Sequence, residues 1–182
     1  MSPLKSILIL LAAYVAVYLE ASVGFLRHWL GVQIDLLPCL MVYAALSSNL
    51  LTVTLLAILG GMMFDSLSSN LLGVTILPLF IVGFVIHIRR ELILRGQFFA
   101  QFTLGLGASA FVPLMTLLLL LSKRQIPLLG LGFAWQWVVM TLAGAILTPI
   151  VCRVFDRLDH ALVYRPTTES SFRPDREIRR GR

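Results

Sequence analysis

The sequence predicts an all-α, multipass integral membrane protein of about six short transmembrane helices, with five as the alternative, and three observations lead there. Of its 182 residues 58% are apolar and only 13% are charged, and the mean hydropathy is strongly positive, outside the range of ordinary soluble domains. The apolar residues fall into runs near the length of about 20 that a helix needs to cross a hydrocarbon core roughly 30 Å thick. Those runs lack the alternation of apolar and polar positions that the strands of an outer-membrane barrel show.

The formal charge of +6 and a pI near 10.0 would suggest nucleic acid in a soluble protein. Here the arginines flank apolar runs or lie in a tail, so they read as orientation signals and no nucleic-acid partner is expected. Cys39 and Cys152 fall in different apolar segments without metal or redox spacing and read as buried thiols. Met1 to Leu19 has the apolar core of a signal peptide but no clean small-x-small site after it, so an uncleaved first helix is expected.

The first span is 6–21, SILILLAAYVAVYLEA, with Lys5 before it and Glu20 near its far end. Tyr14 and Tyr18 share one helical face, as an aromatic anchor or as packing against a neighbour. Ser22 to Asp35 carries Arg27, His28 and Trp29 and reads as an interfacial segment. Asp35 is placed to cap a helix, and Pro38 suits its first turn, where the missing N–H costs nothing.

As one helix, Leu36 to Ser66 would reach about 46 Å, far more than the core needs. Ser47-Ser48-Asn49 is therefore read as a tight turn between two short spans, a single tilted helix being the alternative. The next span runs from about Leu72 to Ile88 and ends in His87, Arg89 and Arg90, with Arg95 beyond. Phe98 to Leu121 is rich in small residues, Gly105 to Ala110, and holds Pro113, so it is expected to pack closely and to kink. After a loop from Lys123 to Gly130, Phe133 to Val151 makes the last span, with Trp135 and Trp137 marking an interface. A polar segment begins at Arg153. The transmembrane domain is set at 1–158 and a basic tail at 159–182, expected to be disordered from Pro166 on and to meet anionic lipids.

Positive side chains test the topology. With both ends in the cytoplasm, twelve lie inside: Lys5, Arg89, Arg90, Arg95 and the eight arginines from Arg153 and Arg157 onward, against Arg27, Lys123 and Arg124 outside. Five spans exchange Lys5 with Arg27 and leave the count unchanged. Charge thus fixes the carboxyl-terminal half and leaves the first quarter open.

Asp65 is the candidate polar site. It follows Ala57 and Gly61 at four-residue steps, so a small face ends in an acid. A carboxylate at membrane depth costs a few kcal/mol and faces protein, water or a cation. The favoured expectation is a group at the outer headgroup level near Ser68-Ser69-Asn70, simply hydrated or helping the turn, and the next a contact with another helix. His87 is expected at the opposite end, and His28 and His160 have no partner at ligand spacing. Metal, phosphate-loop and nucleophile-elbow motifs are absent from the sequence, so no catalytic, metal or cofactor-binding residue is expected. The small faces Ala57/Gly61, Gly105/Ser109 and Thr141/Ala145 read as packing within the chain.

The pattern Gly60, Gly61, Asp65, the turn Ser66 to Asn70, then Gly73 opening a helix that ends in Arg89-Arg90, together with Pro38, resembles the rod shape-determining MreD family of bacteria. The resemblance covers about residues 3–158, with its specific residues confined to 36–95. Two departures are the lack of basic residues in the Ser47-Ser48-Asn49 turn and a longer arginine-rich tail. The resemblance implies a non-enzymatic scaffold of the cell-elongation complex in the bacterial inner membrane, multipass, with a cytoplasmic carboxyl terminus. Its implied partners are MreC, the MreB filament directly or indirectly, and RodA with its class B transpeptidase. Gly60, Gly61, Asp65, Asn70 and Gly73 are then residues of partner contact or helix packing. The same six short helices resemble the substrate-binding subunits of energy-coupling vitamin transporters, an alternative disfavoured by the few polar groups that converge.

Overall fold

A computed structural model describes residues 3–22, 35–67, 72–91, 97–122 and 131–163. These form six helices, α1 Pro3–Ser22, α2 Leu37–Ser47, α3 Leu50–Leu67, α4 Ile76–Arg89, α5 Phe98–Ser122 and α6 Leu131–Val163. No strand occurs among the described residues. Among the described residues, three stretches are long and apolar enough to cross a membrane, Leu50–Leu67, Phe98–Ser122 and Ala134–Leu158. Outward faces carry large apolar side chains such as Leu51, Leu59, Leu106, Leu142 and Ile146, which a lipid environment accepts and water does not.

The short helix α2 is the centre. Its sequence LPCLMVYAALS has no charged residue and no polar stripe, so it is apolar on every side and belongs inside protein. Every residue from Leu37 to Leu46 is buried, and α2 packs against each of the other five helices. Its 11 residues rise only about 16 Å, less than the core is thick, so the short span expected here is a helix buried among the others. The division at Ser47-Ser48-Asn49 lies where the sequence places it. Ser48 is extended, and its N–H closes the helix on the Ala44 carbonyl at 2.8 Å.

Two other boundaries differ from expectation. The span expected from Leu72 begins as a turn, and α4 starts only at Ile76, so Pro78 sits in the first helical turn, where it breaks no helix. The last helix runs 33 residues to Val163, so Arg153, Asp156 and Arg157 lie on a continuous rod rather than in a tail. Polar side chains do not stop a helix when one of its faces is held by neighbours: Cys152 and Phe155 are buried there, and Phe155 lies against Tyr43 of α2 at 4.8 Å between ring centroids.

Cross-links between helices set their relative levels. Ser6 of α1 bonds Thr52 of α3 at 2.8 Å, three residues past the α2–α3 turn. Arg90 donates to the Ser48 carbonyl at 3.1 Å, and His87 Nδ1 lies 3.2 Å from the Ala45 carbonyl. The Arg153 guanidinium stands over the Phe98 ring, 5.3 Å from its centroid. Lys5, Arg89, Arg90, Arg153 and Arg157 therefore gather at one end of the bundle. The start of α1 and the carboxyl-terminal part of α6 lie at that same end, the question that charge counting leaves open. Asp65 lies toward the other end.

Candidate functional site: the Asp65 turn

Two glycines bring α3 against its neighbours. A Cβ on Gly60 would lie 3.0 Å from Leu37 Cδ2 at the start of α2. One on Gly61 would lie 3.0 Å from Cα and 3.1 Å from N of Ile76, the first residue of α4. Main chain thus meets main chain at Gly61, a contact that no larger residue permits without moving a helix.

One helical turn beyond Gly61, Asp65 points into this junction and is fully buried. Its Oδ2 accepts the N–H of Gly73 at 2.8 Å and the N–H of Thr75 at 3.2 Å, and its Oδ1 accepts the Thr75 hydroxyl. Thr75 is the N-cap residue of α4 and its own side chain makes no cap bond. The carboxylate of α3 instead ties down the turn that leads into α4, satisfying its donors in a buried site and sitting at the positive end of the α4 dipole. Gly73 permits the geometry: its φ of +93° is in the left-handed region, which the chain needs in order to turn its N–H back toward α3.

Asp65 is buried beneath the turn at 72–75, so it is not simply hydrated; the other half of the favoured expectation, an acid that helps the turn, is what its bonds to Gly73 and Thr75 provide. Gly73 does not open the next helix; it sits in the turn three residues before it. Gly60, Gly61, Asp65 and Gly73 are brought together as one junction of α2, α3 and α4. Asn70 lies outside the described residues, as do Arg95, the interfacial segment with Arg27, His28 and Trp29, the loop with Lys123 and Arg124, and the tail from 164. His87 is near the far end of α4, and among the described residues no hydrogen bond joins Asp65 to a histidine, cysteine or second acid.

A second polar seam escaped sequence reading. Asp35 is buried at the head of α2, where its Oδ1 accepts the Leu37 N–H at 2.8 Å, in keeping with a capping role. One turn on, Cys39 Sγ reaches the Gly144 carbonyl at 3.6 Å, and Thr148 donates to the same carbonyl at 2.7 Å. A Cβ on Gly144 would collide with the Ser109 side chain, and one on Gly105 with Thr148 and, at 2.8 Å, with the Gly144 carbonyl. The expected faces Gly105/Ser109 and Thr141/Ala145 are thus only half of the contact: Gly105 and Ser109 interlock with Gly144 and Thr148. The signal was a second small-xxx-small spacing, Gly144 to Thr148, three residues beyond the pair Thr141/Ala145.

No group of three or more histidine, cysteine or acidic side chains that could hold a metal occurs among the described residues. At the junction the Asp65 carboxylate accepts three hydrogen bonds and fixes the α4 turn against α3. The fold and this junction define a helical membrane protein with an interlocked interior. Comparison with protein-family models, with curated proteins and with solved structures gives no match.

Proposed function

We propose that the chain is a non-enzymatic membrane scaffold of the bacterial cell-elongation machinery, resembling MreD. In this reading it lies in the inner membrane, binds MreC, and links MreB filaments, directly or through other proteins, to wall synthesis by RodA and its class B transpeptidase. The observation that carries the reading is the use made of Asp65. The acid in the Gly60-Gly61, Asp65, Gly73 pattern is satisfied by turn and cap donors of α4, a use that holds architecture rather than reacting with a substrate. Being fully buried, Asp65 does not itself touch a partner; it keeps the α3–α4 hairpin in the shape that a partner reads.

The basic end of the bundle faces the cytoplasm in this reading, as the distribution of Lys and Arg directs. The arginine-bearing end of α6 then stands over the anionic leaflet, and the apolar outer faces are left for lipid and partner helices. The test is a clean deletion in a rod-shaped host. Cells should round up and recover their shape when the gene is returned, and Asp65→Ala should lower recovery of MreC with the purified complex. Normal rods after deletion would remove the assignment.

A further inference from the structure

Among the described residues two acids are buried in the bundle, and their surroundings differ. Asp65 accepts three hydrogen bonds. Asp35 accepts one, from the Leu37 N–H at 2.8 Å, and makes no other hydrogen bond or ion pair among the described residues. Leu37 lies against Gly60, near the middle of the spanning stretch Leu50–Leu67, so Asp35, two residues before it, is within the apolar core and inward of Asp65. An unpaired carboxylate at that depth is costly, and burial disfavours its charged form. A neutral carboxyl keeps the bond to Leu37, because its carbonyl oxygen still accepts, so capping α2 requires no charge.

The seam beside Asp35 is polar but closed. Cys39, one turn further along α2, and Thr148 of α6 share the Gly144 carbonyl. Ser109 Oγ of α5 is buried against Gly144 without a hydrogen-bond partner, and the two residues meet so closely that a Cβ on Gly144 would collide with it. An acid and an idle hydroxyl thus lie on one seam, where interlocked helices leave no gap for a metal ion or an organic molecule. A proton needs no room.

Few titratable groups face this end of α2. Cys39 and, on α6, Cys152 are buried thiols, Asp65 belongs to the α3–α4 junction, Glu20 of α1 has interactions of its own, and α5 carries no titratable side chain. On α4, His87 and Arg90 are bonded to the opposite end of α2, at Ala45 and Ser48. We propose that Asp35 is a proton-binding site that seats the head of α2. The resting bundle holds it as the neutral acid. When the proton leaves for bulk water, the charge left behind has no cation to meet, and the α2 head loosens from α5 and α6 toward water and the idle Ser109 hydroxyl. Because α2 packs against every other helix, proton occupancy at one residue is felt throughout the bundle.

Infrared difference spectra of the full chain in phosphatidylglycerol vesicles test the proton. A protonated-carboxyl band should be present at about pH 5, fade by about pH 9, vanish in Asp35→Asn and persist in Asp65→Asn. Cys39, buried one turn from Asp35, reports the loosening. Its labelling by N-ethylmaleimide, located by peptide mass and divided by that of free cysteine at the same pH, should rise by up to about tenfold per pH unit, the slope of a one-proton linkage. In Asp35→Asn, which mimics the neutral acid, labelling should stay low at every pH. Three results would each overturn the proposal: no Asp35-dependent band at the acid end, the same Cys39 labelling slope in Asp35→Asn as in the unsubstituted chain, or an Asp35→Asn chain that does not fold.

Discussion

At Asp65 one side chain satisfies three donors from a turn eight to ten residues away, and removing it leaves the Gly73 and Thr75 N–H groups and the Thr75 hydroxyl without acceptors in a water-poor interior. An unsatisfied buried donor costs about 1–3 kcal/mol, and some relaxation of the turn is expected. Asp65→Ala should therefore destabilise the protein by about 2–4 kcal/mol in a detergent melting or steric-trapping measurement. Asp65→Asn keeps one acceptor oxygen and should lose about half as much. Equal stability of Asp65→Ala and the unsubstituted chain would show that the junction is held without the carboxylate. The importance of Asp65 was legible in its place after Gly61 on a small-residue face. Its burial was not, because that depends on where the 72–75 turn folds, and a positive φ at Gly73 leaves no mark in the sequence beyond the glycine itself.

Helices α5 and α6 interlock through small residues, and the two halves of that contact differ in what opposes a larger side chain. At Gly144 the obstacle is the Ser109 side chain; at Gly105 it is Thr148 together with the Gly144 main chain. Gly144→Ala should destabilise by about 1–3 kcal/mol, as overpacking does, and Ser109→Gly should restore most of the loss. Gly105→Ala should cost a similar amount and be only partly restored by Thr148→Ala, because the Thr148 Cβ and the Gly144 carbonyl both remain. Melting of the four single and two double variants measures both couplings, and additive losses in both pairs would refute the interlock. Small-residue spacing identified α5 as a packing helix, but several faces of α6 fit it equally, and only the approach of α2 through Cys39 selects the one bearing Gly144 and Thr148. The limits of α2 were readable because Ser47-Ser48-Asn49 interrupts an otherwise apolar run. Its enclosure was not, since a uniformly apolar helix looks the same whether lipid or protein surrounds it.

For the bundle as a whole, the fold class followed from composition and run length, whereas the number of crossings did not, because α2 and α4 are too short to be sorted by hydropathy alone. The hydrogen bonds that link Ser6 to Thr52 and Arg90 to Ser48 resolve the relation between the ends, placing the start of α1 beside the basic termini of α4 and α6. From the excess of Lys and Arg at that end, Arg89 and Arg157 are expected on the cytoplasmic side and Ser22, at the other end of α1, outside. All three side chains are exposed, and both native cysteines are buried, so each site can be replaced by cysteine and labelled without background. A membrane-impermeant maleimide applied to intact spheroplasts should modify Ser22→Cys and spare Arg89→Cys and Arg157→Cys, which should react only after the membrane is opened. Labelling of Arg157→Cys without Arg89→Cys would place α4 and α6 termini on opposite faces and break the packing order described above. Labelling of both from outside, with Ser22→Cys protected, would keep the bundle and invert it, and the scaffold reading would then lose its cytoplasmic surface for a filament.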